Sequence, residues 1–431
     1  MRISSLLVLL ALALVAPPTR AQFSQYTPPG SLAEPTVSNS DRIPEESEKA
    51  RWRLGSIRAD PRLWIFNSGY RDNVFSEPEG GEKQSDVTAT IGMGLVFFAH
   101  LGPKVIASAH LLPEYVWWQD LEELRSLNGA YGVELVGLFN RLTVETEIHT
   151  RQRESLLSSE LEIPVTGENE GASASFRVDL GNRLEAFASM AEAEIKSALE
   201  DPSAAPDVDL STLDRHESVY TGGIAYDITD ALEVSAGIQR RKTDFDNDFA
   251  ARDNTGTSPL VGLDVSLERF QLALTLVDRE LDFGPNSALG SSTSAVGRMR
   301  AAWMLTPRTD LAIYGGRNII YSTTNAESIY LESRYGAAIE SSFADRFHLR
   351  LFAETGNNDF AAVDPTAGDR TDDVNAWGFG FGSAIFNRLG LRIGLTRSEV
   401  DSPLPEVSRA VNSIIVNLDL AGERLFRRPR P

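Results

Sequence analysis

The sequence predicts an all-β fold: a transmembrane antiparallel up-and-down β-barrel of about 18 strands in a bacterial outer membrane. Three observations carry this. Apolar residues alternate with small or polar ones at a period of two, compact turns recur at a near-constant spacing, and short turns alternate with long polar loops.

The stretch from Asp372 to Val400 shows the unit. Trp377, Phe379, Phe381 and Ile385 share one parity, as do Leu389, Leu391, Ile393 and Leu395. Between them lie Ala376, Gly378, Gly380, Gly382 and Ala384, then Gly390, Arg392, Gly394 and Thr396. A period of two sends each set to its own strand face. Asn387-Arg388 has the composition of the tight turn between the runs. The result is a hairpin with one greasy face and one small or wet face.

In chain order, residues 1–21 come first. Met1-Arg2, the apolar run Leu6 to Ala16 and Thr19-Arg20-Ala21 read as a secretory signal cleaved after Ala21. The run is too short for a spanning helix, which needs about 20 residues. Residues 22–57 are rich in Pro, Ser and Glu without a period of two, and read as a flexible periplasmic lead-in with room for a short helix between Pro44 and Arg53. The barrel occupies 58–426, and 427–431 form a short tail.

Within the barrel, turns fall at Gly102-Pro103, Asn140-Arg141, Gly181-Asn182, Thr229-Asp230, Glu268-Arg269, Pro307-Arg308, Asp345-Arg346 and Asn387-Arg388. Their spacings are 38, 41, 48, 39, 39, 38 and 42 residues, two strands and two connections per repeat. Midway lie polar segments at 71–85, 154–168, 198–213, 245–257, 284–292 and 355–372, with shorter connections near 119–125 and 322–326. In outer-membrane barrels short turns face the periplasm and long loops face outside. Eight turns join sixteen strands, and one strand at each end (about 59–70 and 409–421) completes the count.

The expected outer face carries residues such as Ile91, Met93, Leu95 and Phe97, Leu263 and Val265, or Ile414, Val416 and Leu418. The opposite face is charged. An Arg or Lys at mid-depth against lipid costs ~2–4 kcal/mol, so these rows must face an aqueous interior. The pore-lining candidates are Glu145, Glu147, His149, Arg177, Asp264, Arg298, Arg300, Glu332, Arg334, Arg350, Glu354 and Arg392. Trp117, Trp118, Phe139, Tyr321, Phe343 and Phe386 lie near strand ends, where aromatic girdles belong. Gly378, Gly380 and Gly382 thin one patch of the inner wall, or else mark sharp barrel curvature, the first choice, or close packing of an inner plug or loop, the second.

The first strand and its exit read Pro61 to Phe75, PRLWIFNSGYRDNVF. This resembles the opening of the putative β-barrel porin 2 family, with Gly69, Tyr70, Asp72, Asn73, Val74 and Phe75 matching its signature and Arg71 standing where an acidic or polar residue is frequent. The resemblance implies an outer-membrane barrel associated with exopolysaccharide synthesis and export, with no catalytic residues to carry over. Phe426 keeps the parity of Leu418 and Leu420, where the assembly machinery reads a terminal aromatic, but Arg427 to Pro431 follow it.

Other chemistry is sparsely signalled. Zero cysteines leave no disulfide or thiolate metal site. A formal charge of −20 argues against nucleic acid, and no glycine-rich phosphate loop precedes a helix. The five histidines show no ligand spacing, and Asp244, Asp246 and Asp248 open a calcium-loop pattern that nothing closes. The row Glu145, Glu147, His149, Arg151 and Arg153 balances charge and hydrates a wall more simply than it builds a hydrolase. The expectation is therefore a passive channel without enzymatic activity, cofactor or metal. Its partners are outer-membrane lipid, the barrel-assembly machinery and a hydrophilic solute or polysaccharide. The alternatives are a general diffusion porin, or a closed structural or adhesive barrel that binds through its outer loops.

Overall fold

The computed structural model describes residues 26–199, 209–247, 251–284, 287, 290–323, 327–344, 346–362, 370–385, 389–405 and 407–419. The signal segment 1–21, the Asn387-Arg388 turn, Phe386, Phe426 and the 427–431 tail lie outside them. Eighteen long strands follow in chain order: β1 (Ile57–Arg71), β2 (Asp86–His100), β3 (Val105–Trp118), β4 (Ser126–Leu138), β5 (Leu142–Leu156), β6 (Pro164–Gly181), β7 (Leu184–Ala198), β8 (Arg215–Thr229) and β9 (Leu232–Phe245). Then come β10 (Asn254–Leu267), β11 (Phe270–Asp282), β12 (Ser291–Thr306), β13 (Thr309–Tyr321), β14 (Glu327–Phe343), β15 (Phe347–Ala362), β16 (Arg370–Ile385), β17 (Leu389–Asp401) and β18 (Arg409–Asp419). Each pairs antiparallel with its neighbours, and β18 pairs with β1 to close the barrel. Closure gives each of these eighteen strands a neighbour on both sides, so none is an open edge facing lipid.

Burial alternates along the strands as the period of two requires. Ile91, Met93, Phe97, Val133, Ile148, Val261 and Ile313 are exposed on the outside, while Val96, Phe98, Glu134, Glu145 and Tyr314 are buried within. Among the described residues, the short turns match the predicted positions from Gly102-Pro103 to Pro307-Arg308. Several loops are shorter than expected: the 355–372 segment continues as strand to Ala362 and resumes at Arg370, with Asn357 opposite Asp373 and Asn358 opposite Asp372. These strand ends are polar on both faces, so the alternation that marks a strand in lipid vanishes while the ladder goes on.

The stretch from Gly69 to Phe75, the end of β1 and its exit, forms the seam. Ile415 pairs with Gly69, and a Cβ at Gly69 would stand 1.7 Å from the Ile414 carbonyl oxygen, so only glycine admits this approach. Asp72 accepts from the Asn412 main-chain N–H at 2.8 Å and from its side-chain amide at 2.6 Å. Asn73 exchanges two 2.8 Å bonds with the Glu77 main chain, and Val74 is fully buried beside Val116, Trp118, Leu121 and Leu124. The motif thus latches the first strand to the last and folds the first loop.

Two of the girdle aromatics turn inward instead. Trp118 is buried under the first loops and donates its indole N–H to Glu154 at 2.9 Å, and Tyr321 is buried against Phe245 with its hydroxyl bonded to Asn254 and Thr243. Their parity, not their place near a strand end, decides the side. Phe139 and Phe343 are exposed at turns, as a girdle requires.

The flexible lead-in is the main departure. A short strand, Trp52–Leu54, forms a hairpin with the base of β1, and before it α1 (Asn39–Glu48) lies inside the barrel. Ser38 caps the helix by accepting from the Asp41 N–H at 3.2 Å. Ile43 is fully buried against Val96, Phe98, Ile106 and Val136. Upstream, Leu32 and Ala33 pack on Ala312, Tyr314 and Ala338. A segment without a period of two still buries one helix face, Asn39, Ile43 and Ser47, when the lumen wall supplies the partners.

Candidate functional site

The lumen is the site, and two pieces of chain cross it. One is the lid, residues 157–163 between β5 and β6. Ser159 donates to Glu332 at 2.7 Å and lies 3.1 Å from the Tyr330 hydroxyl, and its carbonyl accepts from Arg409 at 2.8 Å. Glu160 accepts from Ser322 Oγ and the Thr323 N–H, both at 2.9 Å, and sits 3.9 Å from Arg370. Burial pushes the Glu160 carboxyl above the usual range, with these hydrogen bonds opposing the shift. The Glu162 carbonyl accepts from Arg71 at 2.9 Å and Ser76 at 2.6 Å. The lid therefore leaves β5 and β6 and fastens to β1, β14, β16, β18, the first loop and the connection that follows β13. Its own Leu157 and Ile163 pack on Leu213, Phe245 and Tyr321, an apolar floor beneath it.

The other piece is the N-terminal segment. Tyr26 lies 3.5 Å from Glu162 of the lid. Arg350 donates to the Gly30 carbonyl at 2.6 Å and to Glu34 at 2.8 Å, and the Gly30 N–H donates to Glu354 at 3.1 Å. Arg298 donates to the carbonyls of Leu32 at 3.2 Å and Glu34 at 2.8 Å, and Arg300 to that of Ala33 at 2.5 Å. At the helix, the Ser40 N–H donates to Glu145 at 2.9 Å and Arg42 pairs with Glu134 at 2.6 Å.

The twelve pore-lining candidates thus fall into groups. Arg298, Arg300, Arg350 and Glu354 hold the segment around Gly30 to Glu34, and Arg392 adds its charge beside Glu34 and Arg350. Glu145, Glu147 and His149 lie under α1: the Asn39 amide is 3.5 Å from Glu147, His149 Nδ1 is 3.2 Å from Glu147, and its Nε2 is 2.9 Å from Asn169. Glu332 and Arg334 pair at 3.0 Å beneath the lid. Arg177 pairs with Glu185 at 3.1 Å and reaches Glu233 at 3.7 Å, with Asp264 opposite Glu233 on the next strand. Of the inner glycines, Gly378 faces the Phe352 ring, which in turn covers Gly30 at φ 75°. Close packing of a plug, the second reading, fits this glycine. Gly380 meets nothing nearer than 3.7 Å.

Pattern reading missed the buried network of Arg215, Glu217 and Arg241. Arg215 Nε lies 2.7 Å from Glu217, and Arg241 pairs with the other carboxylate oxygen. Arg279 adds bonds to Asn318 and Gln239, both at 3.3 Å. Its signal was available as opposite charges two apart on an inward face.

A closed antiparallel barrel of this size, apolar outside and ionic inside, is a porin-like outer-membrane barrel. The chain belongs to the putative beta-barrel porin 2 family, whose model matches residues 143–421. That match lies downstream of the Gly69 to Phe75 signature. The fold is similar to Pseudomonas aeruginosa OccK2 (OpdF), solved with glucuronate, at 13% identity and TM-score 0.51 over 84% of this chain and 98% of that one. It is also similar to a BenF-like porin from Pseudomonas fluorescens Pf-5 (13%, 0.50, 85% and 99%) and to Acinetobacter baumannii OccAB1 (12%, 0.50, 87% and 98%). A comparison with curated proteins finds no match.

Proposed function

We propose that the protein is a channel for hydrophilic solutes in the outer membrane, linked to exopolysaccharide export, and that residues 1–21 are the cleaved signal that sends it there. The observation that carries this reading is the lumen itself: an ionic inner wall that a purely structural barrel has no need to keep hydrated. Side chains of both signs hydrate a passing solute, and the inward lid sets the size limit. No step needs a catalytic group. The crossing of the lumen by the lid and the N-terminal segment favours a resting state of low conductance, which is what the closed-barrel alternative also predicts at rest. Planar-bilayer recording of the purified mature chain separates them. A steady ion current, raised when residues 26–50 are removed, is expected. An intact barrel that passes no current with or without that segment would end the channel reading. An adhesive barrel would instead lose binding when its outer loops are cut.

A further inference from the structure

We propose that residues 30–34 stand in for a ligand: they occupy a lumen site for the carboxylates of an acidic sugar chain, which competes with them for Arg298, Arg300 and Arg350 and lifts the segment off the wall. This deepens the channel reading and rests on it.

The chemistry of the contacts points this way. A guanidinium presents donors in a fork that matches a carboxylate, and such charge-assisted pairs are about twice as strong as neutral ones. Here Arg298 spends its donors on two carbonyls and the Thr36 hydroxyl at 3.4 Å, and Arg300 meets the Ala33 carbonyl. Arg350 meets the Gly30 carbonyl, one oxygen of Glu34 and, at 3.4 Å, Glu340. Glu34, the carboxylate the segment brings, is 60% exposed. Arg298 and Arg300 are two apart on one face of β12, roughly 7 Å along the strand. They form a like-signed pair on a wall where Arg215–Glu217, Glu332–Arg334 and Arg370–Asp372 pair opposite signs at the same spacing. Such a row suits a linear chain bearing successive carboxylates, and main-chain carbonyls satisfy it only partly.

The stretch can also leave without unfolding a helix. It holds one three-residue 3₁₀ turn with no side-chain cap, and what it buries is Gly30, Leu32 and Ala33. The helix α1, anchored by Ile43, remains as the tether.

The chain has no cysteine, so engineered thiols report cleanly. Ala33 is 5% exposed on the wall side, and Ala33→Cys in the full mature chain in lipid vesicles would be labelled by a maleimide only when the segment lifts. Polygalacturonate is expected to raise the labelling rate at least tenfold, and dextran of the same length to leave it unchanged. An unchanged rate with both polymers, or an equal rise with both, overturns the proposal. A second variant fixes the segment. A Cβ at Gly316 lies 3.8 Å from Leu32 Cγ, so Leu32→Cys with Gly316→Cys is placed to form a disulfide. In planar bilayers, polygalacturonate is expected to raise the current of the reduced form and not of the oxidised form, with reductant restoring the response. A rise in both forms also overturns it. Labelling that responds without any current keeps the ligand site and refutes the channel. Current without a labelling response keeps the channel and refutes the site.

Discussion

Gly69→Ala tests whether the stretch from Gly69 to Phe75 is a seam. In the wild-type barrel Gly69 faces the main chain of β18, and the added methyl would sit 1.7 Å from the Ile414 oxygen and 2.8 Å from its carbon. Contacts under 3.0 Å are not tolerated, so the β1–β18 seam must open by at least 1.3 Å at this point. Overpacking costs about 1–3 kcal/mol. The two or so ladder bonds lost beside it add about 1 kcal/mol each, since the freed groups face lipid or lumen instead of a partner. The sum is roughly 3–5 kcal/mol of barrel stability. Gly222→Ala is the matched control, because its nearest neighbour would be 3.8 Å away and a strand interior generally gains from losing a glycine. Urea titration in vesicles, read by the faster gel mobility of folded barrel, measures both. A Gly69→Ala barrel with the same midpoint as Gly222→Ala would refute the seam argument.

Two further outcomes follow from buried charge. Glu217→Gln removes the anion between Arg215 and Arg241 and is expected to cost about 3–5 kcal/mol in the same titration, because it strands two cations that were paired. The lid should respond to pH. The folded-state pKa of Glu160 is raised, so its contribution to lid closure is complete below the ordinary carboxylate range and is lost as pH rises through the raised value. A nitroxide on Leu161→Cys should therefore be more immobile at pH 5 than at pH 8. Adding Glu160→Gln should flatten the profile, and a lid that tightens as pH rises would contradict the sign.

The barrel was legible because lipid enforces it. Ile91, Met93 and Phe97 alternate with Thr90, Gly92 and Val96 over the depth where water is absent, and the eight short turns punctuate them. Legibility stopped where the constraint stops. Above the hydrocarbon, Asn357, Asn358, Asp372 and Asp373 are polar on both faces and read as loop, although they pair as strand. The lid residues Ser159 and Glu160 fasten to positions 160 to 250 residues away, contacts no local pattern encodes.

The N-terminal segment had a signal of a different kind, and it lies in the barrel sequence. Several inward charges on this wall cancel along their own strand, as Arg215 does with Glu217, Glu332 with Arg334 and Arg370 with Asp372. Arg298–Arg300 does not, because both carry one sign, and Glu145 is left over on β5, where Glu147 already meets His149 and Arg151. Leaving either uncompensated in a narrow lumen is costly. The segment resolves both at once through the polarity of its own main chain. Its helix presents free N–H groups at the start of α1, where the dipole is positive, and Glu145 accepts from Ser40 there. The turn at 31–33 presents carbonyl oxygens, and these face Arg298 and Arg300. Acidic wall meets main-chain donors and basic wall meets main-chain acceptors. Side-chain pairs add to that match, Arg42 with Glu134 and Glu34 with Arg350, so the docking register depends on the direction of the chain as well as on its charge. A reversed or scrambled segment of the same composition has no such fit.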